Sequence, residues 1–196
     1  GIRVPPCFIV VCNNTSTSKL VYDFISGFVR ENDDGSKTFQ NGRLKLFRNF
    51  DDHGNPTARP RTLLIDSEQL ESGEPLDDKF RGMFADEIAR FRREIVERGG
   101  KLADELKQGK ELDDVTLLRE VMNTVGKPGQ LGGAIRCVVS VSMLTEGWDA
   151  STVTHVLGVR AFGTQLLCEQ VIGRALRRQS YDLNEEGPNK GLFNVE

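Results

Sequence analysis

The chain has 196 residues, of which 38% are hydrophobic and 28% are charged, and its net charge at pH 7 is −3. This balance is typical of a globular domain with a full hydrophobic core and argues against a disordered or membrane-embedded chain. No apolar run reaches the roughly 18 residues that a membrane-spanning helix needs, and the net negative charge excludes a global basic field for nucleic acid.

The chain begins with Gly1 rather than Met and has no signal-peptide pattern, so we expect it to be a piece of a longer protein. It contains two histidines and no CxxC pair, and its four cysteines are Cys7, Cys12, Cys137 and Cys168. Because these cysteines lie in apolar segments, we expect buried free thiols in a reducing cytoplasm and no metal site.

The first segment predicts the start of an α/β unit. Cys7 to Cys12 is a continuous apolar run, typical of a strand that is buried on both faces. Asn13-Asn14-Thr15-Ser16 then supplies turn residues and N-cap oxygens. A helix is predicted from Lys19 to Val29, with three apolar residues on one side: Leu20, Phe24 and Phe28. A strand, a polar turn and a helix in this order open an α/β unit.

Residues 31 to 60 predict a surface insertion. Asp33-Asp34-Gly35 and Asn41-Gly42 are both turn signals. Thr38-Phe39-Gln40 and Arg43 to Phe47 flank the second signal, as the two strands of a hairpin would. Thr62 to Ser67 follows the insertion and predicts a second apolar strand that ends in polar residues.

A second insertion is predicted at about residues 77 to 125. Its first part is rich in both charges, and apolar residues recur in it at helical spacing: Phe80, Phe84, Ile88, Phe91 and Ile95. This pattern favours a solvated helix that docks by its apolar face. Gly99-Gly100 interrupts the helix. A further helix is predicted from Leu112 to Val125, capped near Asp113 or Asp114.

The remainder of the chain predicts two more strands, Ile135 to Val141 and Val153 to Val159, separated by a polar excursion from Met143 to Asp149. The connector at 127–133 contains no phosphate loop of the form GxxxxGK[ST]. Four apolar strands that alternate with helices predict an α/β fold, with a parallel sheet covered by helices on both faces. Ligands of such sheets gather at the carboxyl ends of the strands, where the polar segments of this chain fall.

The helix predicted after the fourth strand carries a possible phosphate clamp. Arg174 and Arg177 are three residues apart and therefore share one helix face, with Gln170 one turn earlier. Guanidinium groups stay charged and offer forked donors to phosphate oxygens. The alternative is an exposed basic helix end that complements the helix dipole.

The polar excursion contains candidates for contacts with a nucleotide or a phosphate. Gly147 permits close approach of the backbone. Asp149 offers acceptors suited to a ribose hydroxyl, or caps a turn. Ser142 and Thr145 can donate to a phosphate, or satisfy local backbone groups.

Together these segments resemble motifs IV, V and VI of superfamily 2 helicases, which belong to the second RecA-like domain of those enzymes. The likeness covers residues 7–30 and 135–181. The longest matching string starts at Thr145-Glu146-Gly147-Trp148-Asp149 and continues through residues 153–157, 160–165 and 168–174. It is similar to the restriction (Res) subunit of type III restriction-modification enzymes.

The resemblance implies that five of the matching residues belong to the ATP site. Arg177 matches the arginine-finger position, and Arg174 and Gln170 match its neighbours that face the γ-phosphate. Gly147 and Asp149 match the glycine and the acid that approach the ribose.

The resemblance also implies contacts with nucleic acid. Asn13, Asn14 and Thr15 match the strand-end motif that touches the nucleic-acid backbone. Many relatives carry a Thr-Asp pair where this chain has Val141-Ser142. The hydroxyl that meets a DNA phosphate is therefore one of three alternatives: Ser140, Ser142 or Thr145.

The implied organisation is a second RecA-like domain at 1–181, with insertions at about 31–60 and 77–125, and a tail or linker at 182–196 toward a downstream domain. ATP and Mg²⁺ are the implied cofactors, and Mg²⁺ would be held mainly by a first RecA-like domain that carries the phosphate loop. The chain alone is therefore expected to be inactive, within a whole protein that hydrolyses ATP and cleaves DNA at specific sites. The implied partners are double-stranded DNA, an N-terminal RecA-like domain, a C-terminal nuclease domain and a methyltransferase subunit.

Two other interpretations of the sequence stay open. One is the motor domain of another superfamily 2 ATPase, such as a repair translocase or an RNA helicase. The other is a non-catalytic α/β module that binds a partner through the charged helix and the hairpin.

Overall fold

The computed structural model describes residues 6–66, 78–141 and 151–159, together with Gln165, Glu169, Ile172, Gly173 and Lys190. The elements in chain order are β1 (Phe8–Cys12), α1 (Thr15–Ser26), β2 (Gly27–Glu31), β3 (Lys37–Asn41), β4 (Thr62–Asp66), α2 (Asp78–Met83), α3 (Ala85–Arg98), α4 (Lys101–Lys107), α5 (Asp114–Asn123), β5 (Cys137–Val141) and β6 (His155–Val159). None of the helices found in these residues combines the length and the apolar character needed to cross a bilayer.

The centre of the fold is a four-stranded sheet with the order β4-β5-β1-β6, in which every neighbouring pair is parallel. The apolar runs predicted as strands form this sheet because parallel strands are buried on both faces. Every side chain of β5 is buried. The predicted α/β architecture is thus confirmed, and it is consistent with a RecA-like fold.

The two faces of the sheet bury separate hydrophobic clusters, because successive side chains of a strand point to opposite faces. Ile9 and Val11 belong to the cluster that also contains the apolar residues of the helical insertion. Val10 and Cys12 belong to the second cluster, to which α1 contributes Val21, Tyr22 and Ile25. Helices therefore cover both faces, as predicted.

Helix α1 begins and ends earlier than its apolar spacing predicts. Its N-cap is Asn14, whose side chain accepts a hydrogen bond from the backbone N–H of Thr17, so the helix starts at Thr15 rather than at Lys19. It ends at Ser26 because Gly27 adopts a φ of 89°, which an L side chain rarely allows. Phe28 and Val29, predicted as helical, therefore belong to strand β2.

The hairpin of the first insertion exists, but the prediction placed its turn wrongly. β2 pairs with β3 in antiparallel register, and the turn uses Asp33-Asp34-Gly35 rather than Asn41-Gly42. The Oδ1 atom of Asp34 accepts the backbone N–H of Ser36 at 2.9 Å, which fixes this turn. Gly42 instead permits close packing, since a Cβ atom there would lie 2.0 Å from the carbonyl oxygen of Ile25.

The segment predicted as the second hairpin strand, 43–47, contains a 3₁₀ turn at Lys45–Phe47 and leads into the core. Phe47 is buried, and its ring lies 4.9 Å from that of Phe8. Two residues further on, the Oδ1 atom of Asn49 accepts the backbone N–H groups of Arg61 and Thr62 at 2.7 and 2.9 Å. The Nδ2 atom of Asn49 donates to the carbonyl oxygen of Thr62 and to the hydroxyl of Tyr22. The hydrogen bonds of this side chain therefore link the first insertion to both β4 and α1.

The helical insertion docks by the predicted apolar stripe. Phe84, Phe91 and Ile95 are buried, while Ile88 packs against the same cluster; the side chain of Phe80 lies outside the described part of the structure. Gly99 and Gly100 have φ values of 77° and 99° and separate α3 from α4, as predicted. Asp113 caps α5 by accepting the backbone N–H of Thr116 at 2.6 Å, which confirms one of the two predicted caps.

Charged contacts join the helical insertion to the rest of the domain. Arg59, in the loop before β4, forms a forked pair with Glu87 of α3 at 3.1 and 3.0 Å. Its guanidinium also lies 5.5 Å from the ring centre of Phe84. Arg81 pairs with Asp114 between α2 and α5. These contacts fix the orientation of the insertion on the sheet.

Partial burial raises the pKa of Glu120 on α5 above its ordinary value of 4.5, and neighbouring Glu94 raises it further, whereas Arg98 and Lys127 oppose the shift. Since the folded-state pKa is the higher one, ionised Glu120 destabilises the fold above that pKa, and this cost disappears as the pH falls toward 4.5. Glu120→Gln is expected to raise Tm by on the order of 1 °C at neutral pH and not at pH 4.5. Thermal denaturation across this pH range checks it, with exposed Glu97→Gln as the control. A gain that persists at pH 4.5 would contradict this explanation.

Candidate functional site

The carboxyl ends of three neighbouring strands lie side by side at one edge of the sheet. Cys12, the last residue of β1, is in register with Val141 at the end of β5 and with Val159 at the end of β6. β1 is the central strand of the three. The three segments singled out by the sequence therefore leave the sheet at adjacent positions, which is where parallel sheets bind ligands.

The segment after β1 forms the amino end of α1. Asn13, Asn14 and Thr15 are all exposed at this edge. The side chain of Asn14 is engaged in the helix cap, at 2.8 Å from the backbone nitrogen of Thr17. Asn13 carries an exposed amide at the same edge. Asn14 therefore contributes the cap of α1, whereas Asn13 is not the capping residue.

The segment after β5 narrows the three alternatives for a phosphate-binding hydroxyl. Ser140 lies within β5 and is only 4% exposed, and its hydroxyl donates to the carbonyl oxygen of Val141 at 3.4 Å. A buried hydroxyl inside the central sheet cannot reach a DNA backbone, so Ser140 is excluded. Ser142 and Thr145 remain as the candidates.

The residues of the predicted nucleotide site all lie outside the described residues: Gly147, Asp149, Gln170, Arg174 and Arg177. Ser142 and Thr145, predicted as contacts with nucleic acid, lie outside them as well. Among residues 160–180, four are described, and all four are helical and exposed: Gln165, Glu169, Ile172 and Gly173. Gln165 donates from Nε2 to Oε1 of Glu169 at 2.7 Å, one helical turn away. A Cβ atom built at Gly173 would meet no other heavy atom within 4 Å.

The thiols of this chain are structural groups rather than reactive ones in the part that the structure describes. Cys7, Cys12 and Cys137 are buried and unbridged, as predicted, while Cys168 lies outside the described residues. Burial raises the pKa of Cys137 to about 12, which keeps this thiol neutral at physiological pH. A thiol of this kind is a poor nucleophile.

Two clefts lie away from this edge. One, of about 490 Å³, is lined by both basic and acidic side chains, including Lys45, Arg48, Asp51 and Arg61. Arg61 immediately precedes β4, so this cleft lies toward the opposite end of the strands. The other, of about 350 Å³, lies between α1 and the β2–β3 ribbon.

The second cleft shows a feature that the sequence interpretation missed. Leu20 and Phe24 of α1 are 71% and 60% exposed, although the helical spacing groups them as one apolar stripe. The sequence contains a second apolar stripe in this helix, formed by Val21, Tyr22 and Ile25, and this second stripe packs on the sheet. Its presence was the signal that Leu20 and Phe24 need not face the core. A helix of ordinary amphipathic type has one such stripe.

Comparison with known proteins finds no matching family model, no matching curated protein and no matching solved structure. The functional conclusion therefore depends on the residues and their positions in the fold.

Proposed function

We propose that the chain forms the second motor domain of an ATP-dependent DNA translocase or helicase of a type III restriction-modification enzyme. The observation that supports this most strongly is the register of β5, β1 and β6, whose last residues lie side by side. In the sequence, the helicase-like segments IV, V and VI come after β1, β5 and β6, with Gln170 eleven residues beyond Val159. The three strands that precede these segments end at one edge of the sheet.

In the proposed enzyme, ATP binds between this domain and a first RecA-like domain. The first domain supplies the phosphate loop, Mg²⁺ and the acid that activates water. Arg177 and Arg174 of this chain stabilise the charge that develops on the departing γ-phosphate, with Gln170 beside them. Gly147 and Asp149 approach the ribose.

The proposed DNA track lies at the same edge of the sheet. Asn13 at the end of β1, together with Ser142 and Thr145 after β5, donates hydrogen bonds to phosphate oxygens. Such contacts hold the strand without reading its sequence. Closing the two domains around ATP would shift this grip, and hydrolysis would release it. Recognition of a methylation site and cleavage of DNA would belong to the methyltransferase subunit and to a nuclease domain.

Asn13 and Asn14 provide a test of the DNA track that separates binding from folding. Asn13→Ala is expected to weaken DNA binding by the motor several-fold without changing Tm. Asn14→Ala removes the N-cap of α1 and is expected to cost about 1 kcal/mol of stability. Binding is measured by fluorescence anisotropy with duplex DNA and stability by thermal denaturation. Unchanged DNA affinity after Asn13→Ala would remove this residue from the track.

The decisive measurement for the proposal is the DNA-stimulated ATPase rate of the chain joined to its first motor domain, before and after Arg177→Ala. The proposal requires this rate to collapse, because this domain then lacks the Arg177 guanidinium that stabilises the charge developing on the γ-phosphate. A motor that retains its rate would instead favour a non-catalytic module.

A further inference from the structure

Helix α1 carries apolar side chains on two adjacent sides, of which one packs on the sheet and the other is exposed. Val21, Tyr22 and Ile25 pack on the sheet, where α1 lies over β4, β5 and β1. Leu20 and Phe24 project from the other face and are largely exposed. The apolar surface of α1 is therefore wider than the part that the sheet covers, and its exposed side is expected to pack against another surface.

The β2–β3 ribbon turns this face into a groove. The ribbon folds back beside α1 because Gly27 ends the helix and starts β2, and Phe28 from β2 lines the groove together with Leu20 and Phe24. The resulting volume of about 350 Å³ is large enough to accept apolar side chains of another surface.

Two opposite charges line the same groove. Asp23 comes from α1 and Arg43 comes from the segment after β3. Within the described residues, neither side chain has an ion-pair partner. Burial raises the pKa of Asp23, whereas Lys19, one turn earlier, opposes this shift. A cation placed against Asp23 would offset the cost of desolvating its carboxylate.

We propose that this groove is the interface of a homodimer, in which a second copy of the chain docks by a two-fold axis and Asp23 of each copy faces Arg43 of the other. A two-fold interface uses the same patch on both copies, so the patch must be complementary to itself. The charges of this patch meet that requirement, since one acid and one base line the same apolar groove. A patch of a single charge would repel its own copy.

The pairing is tested by exchanging the two charges. Asp23→Arg alone places two cations opposite each other, and Arg43→Asp alone places two anions there. Each single variant is expected to raise the dimer dissociation constant by about tenfold or more, as measured by sedimentation equilibrium of the 196-residue chain. The double variant, which carries both changes, restores opposite charges in the reversed order and is expected to recover the original constant.

Two further variants, Phe24→Glu and Leu157→Glu, distinguish a dimer contact at this groove from a contact at another exposed apolar position. Phe24 is in the groove, whereas Leu157, 53% exposed, lies on β6 at the far edge of the sheet from β4. Phe24→Glu is expected to abolish the dimer, and Leu157→Glu is expected to leave it unchanged. Circular dichroism of each variant verifies the fold.

Three results would overturn the proposal. A chain that stays monomeric at all concentrations would mean that another protein, or a further segment of a longer chain, covers the groove. A dimer that Leu157→Glu dissociates would place the contact at the sheet edge. If the double variant does not recover the original dimer dissociation constant, the two-fold pairing of Asp23 with Arg43 is excluded.

Discussion

Replacing Arg177 with alanine is expected to reduce the DNA-stimulated ATPase rate of the intact motor by about 10³- to 10⁵-fold, the range seen for arginine fingers in phosphoryl transfer. The reason is electrostatic. Negative charge spreads over the γ-phosphate oxygens in the transition state, and a fixed guanidinium stabilises that charge more than it stabilises bound ATP. The rate constant for turnover should therefore fall much more than the affinity for ATP.

Two companion variants sharpen this experiment. Arg177→Lys keeps the positive charge but loses the planar fork, so it is expected to recover only part of the rate. Arg178→Ala removes the neighbouring arginine, which lies about 100° further around a helix and should leave the rate largely intact. Equal losses for Arg177→Ala and Arg178→Ala would indicate a general basic surface rather than a finger. Retention of full activity by both would contradict the motor proposal.

Asn49→Leu is expected to destabilise the fold by roughly 2–5 kcal/mol, the range of large single-site effects. Asn49 is only 9% exposed and forms four side-chain hydrogen bonds, to the backbone of Arg61 and Thr62 and to the hydroxyl of Tyr22. Leucine fills the same space but leaves these buried backbone groups unpaired. The measurement is the free energy of unfolding from urea denaturation.

Tyr22→Phe is the matched control for Asn49, since it removes one of the four bonds and leaves the amide bound to the backbone. We expect it to cost about 0.5–1.5 kcal/mol. If the two variants have the same effect, the backbone contacts of Asn49 contribute little. The insertion would then be held mainly by the burial of Phe47.

The strands of this fold could be predicted from the sequence because parallel strands that are buried on both faces are nearly continuous runs of apolar residues. The run Cys7 to Cys12 is apolar without interruption, the run that contains Val138 is apolar except for Arg136 and Ser140, and both form central strands. Local signals also located the caps, since Asn14 and Asp113 each bind a backbone N–H within three residues. Such short-range hydrogen bonds depend little on the rest of the fold.

The errors arose where two local signals competed or where packing decided. The first insertion contains two turn signals, and the packing of Gly42 against Ile25 makes the first of them the hairpin turn. The burial of Ser140 and the exposure of Phe24 follow from which elements meet, which spacing along the chain does not reveal. The roles of Arg174 and Arg177 stay predictions, as these residues lie outside the described part of the chain.

The order of the sheet has a consequence during protein synthesis. β1 is synthesised well before β5 and β6, the strands that it pairs with in the described structure. At ~5–20 residues per second, the interval between Cys12 and Cys137 lasts on the order of 10 s. Throughout that time an apolar segment with unsatisfied backbone groups is available to chaperones or to other nascent chains. The central sheet can therefore form only after the helical insertion has been synthesised.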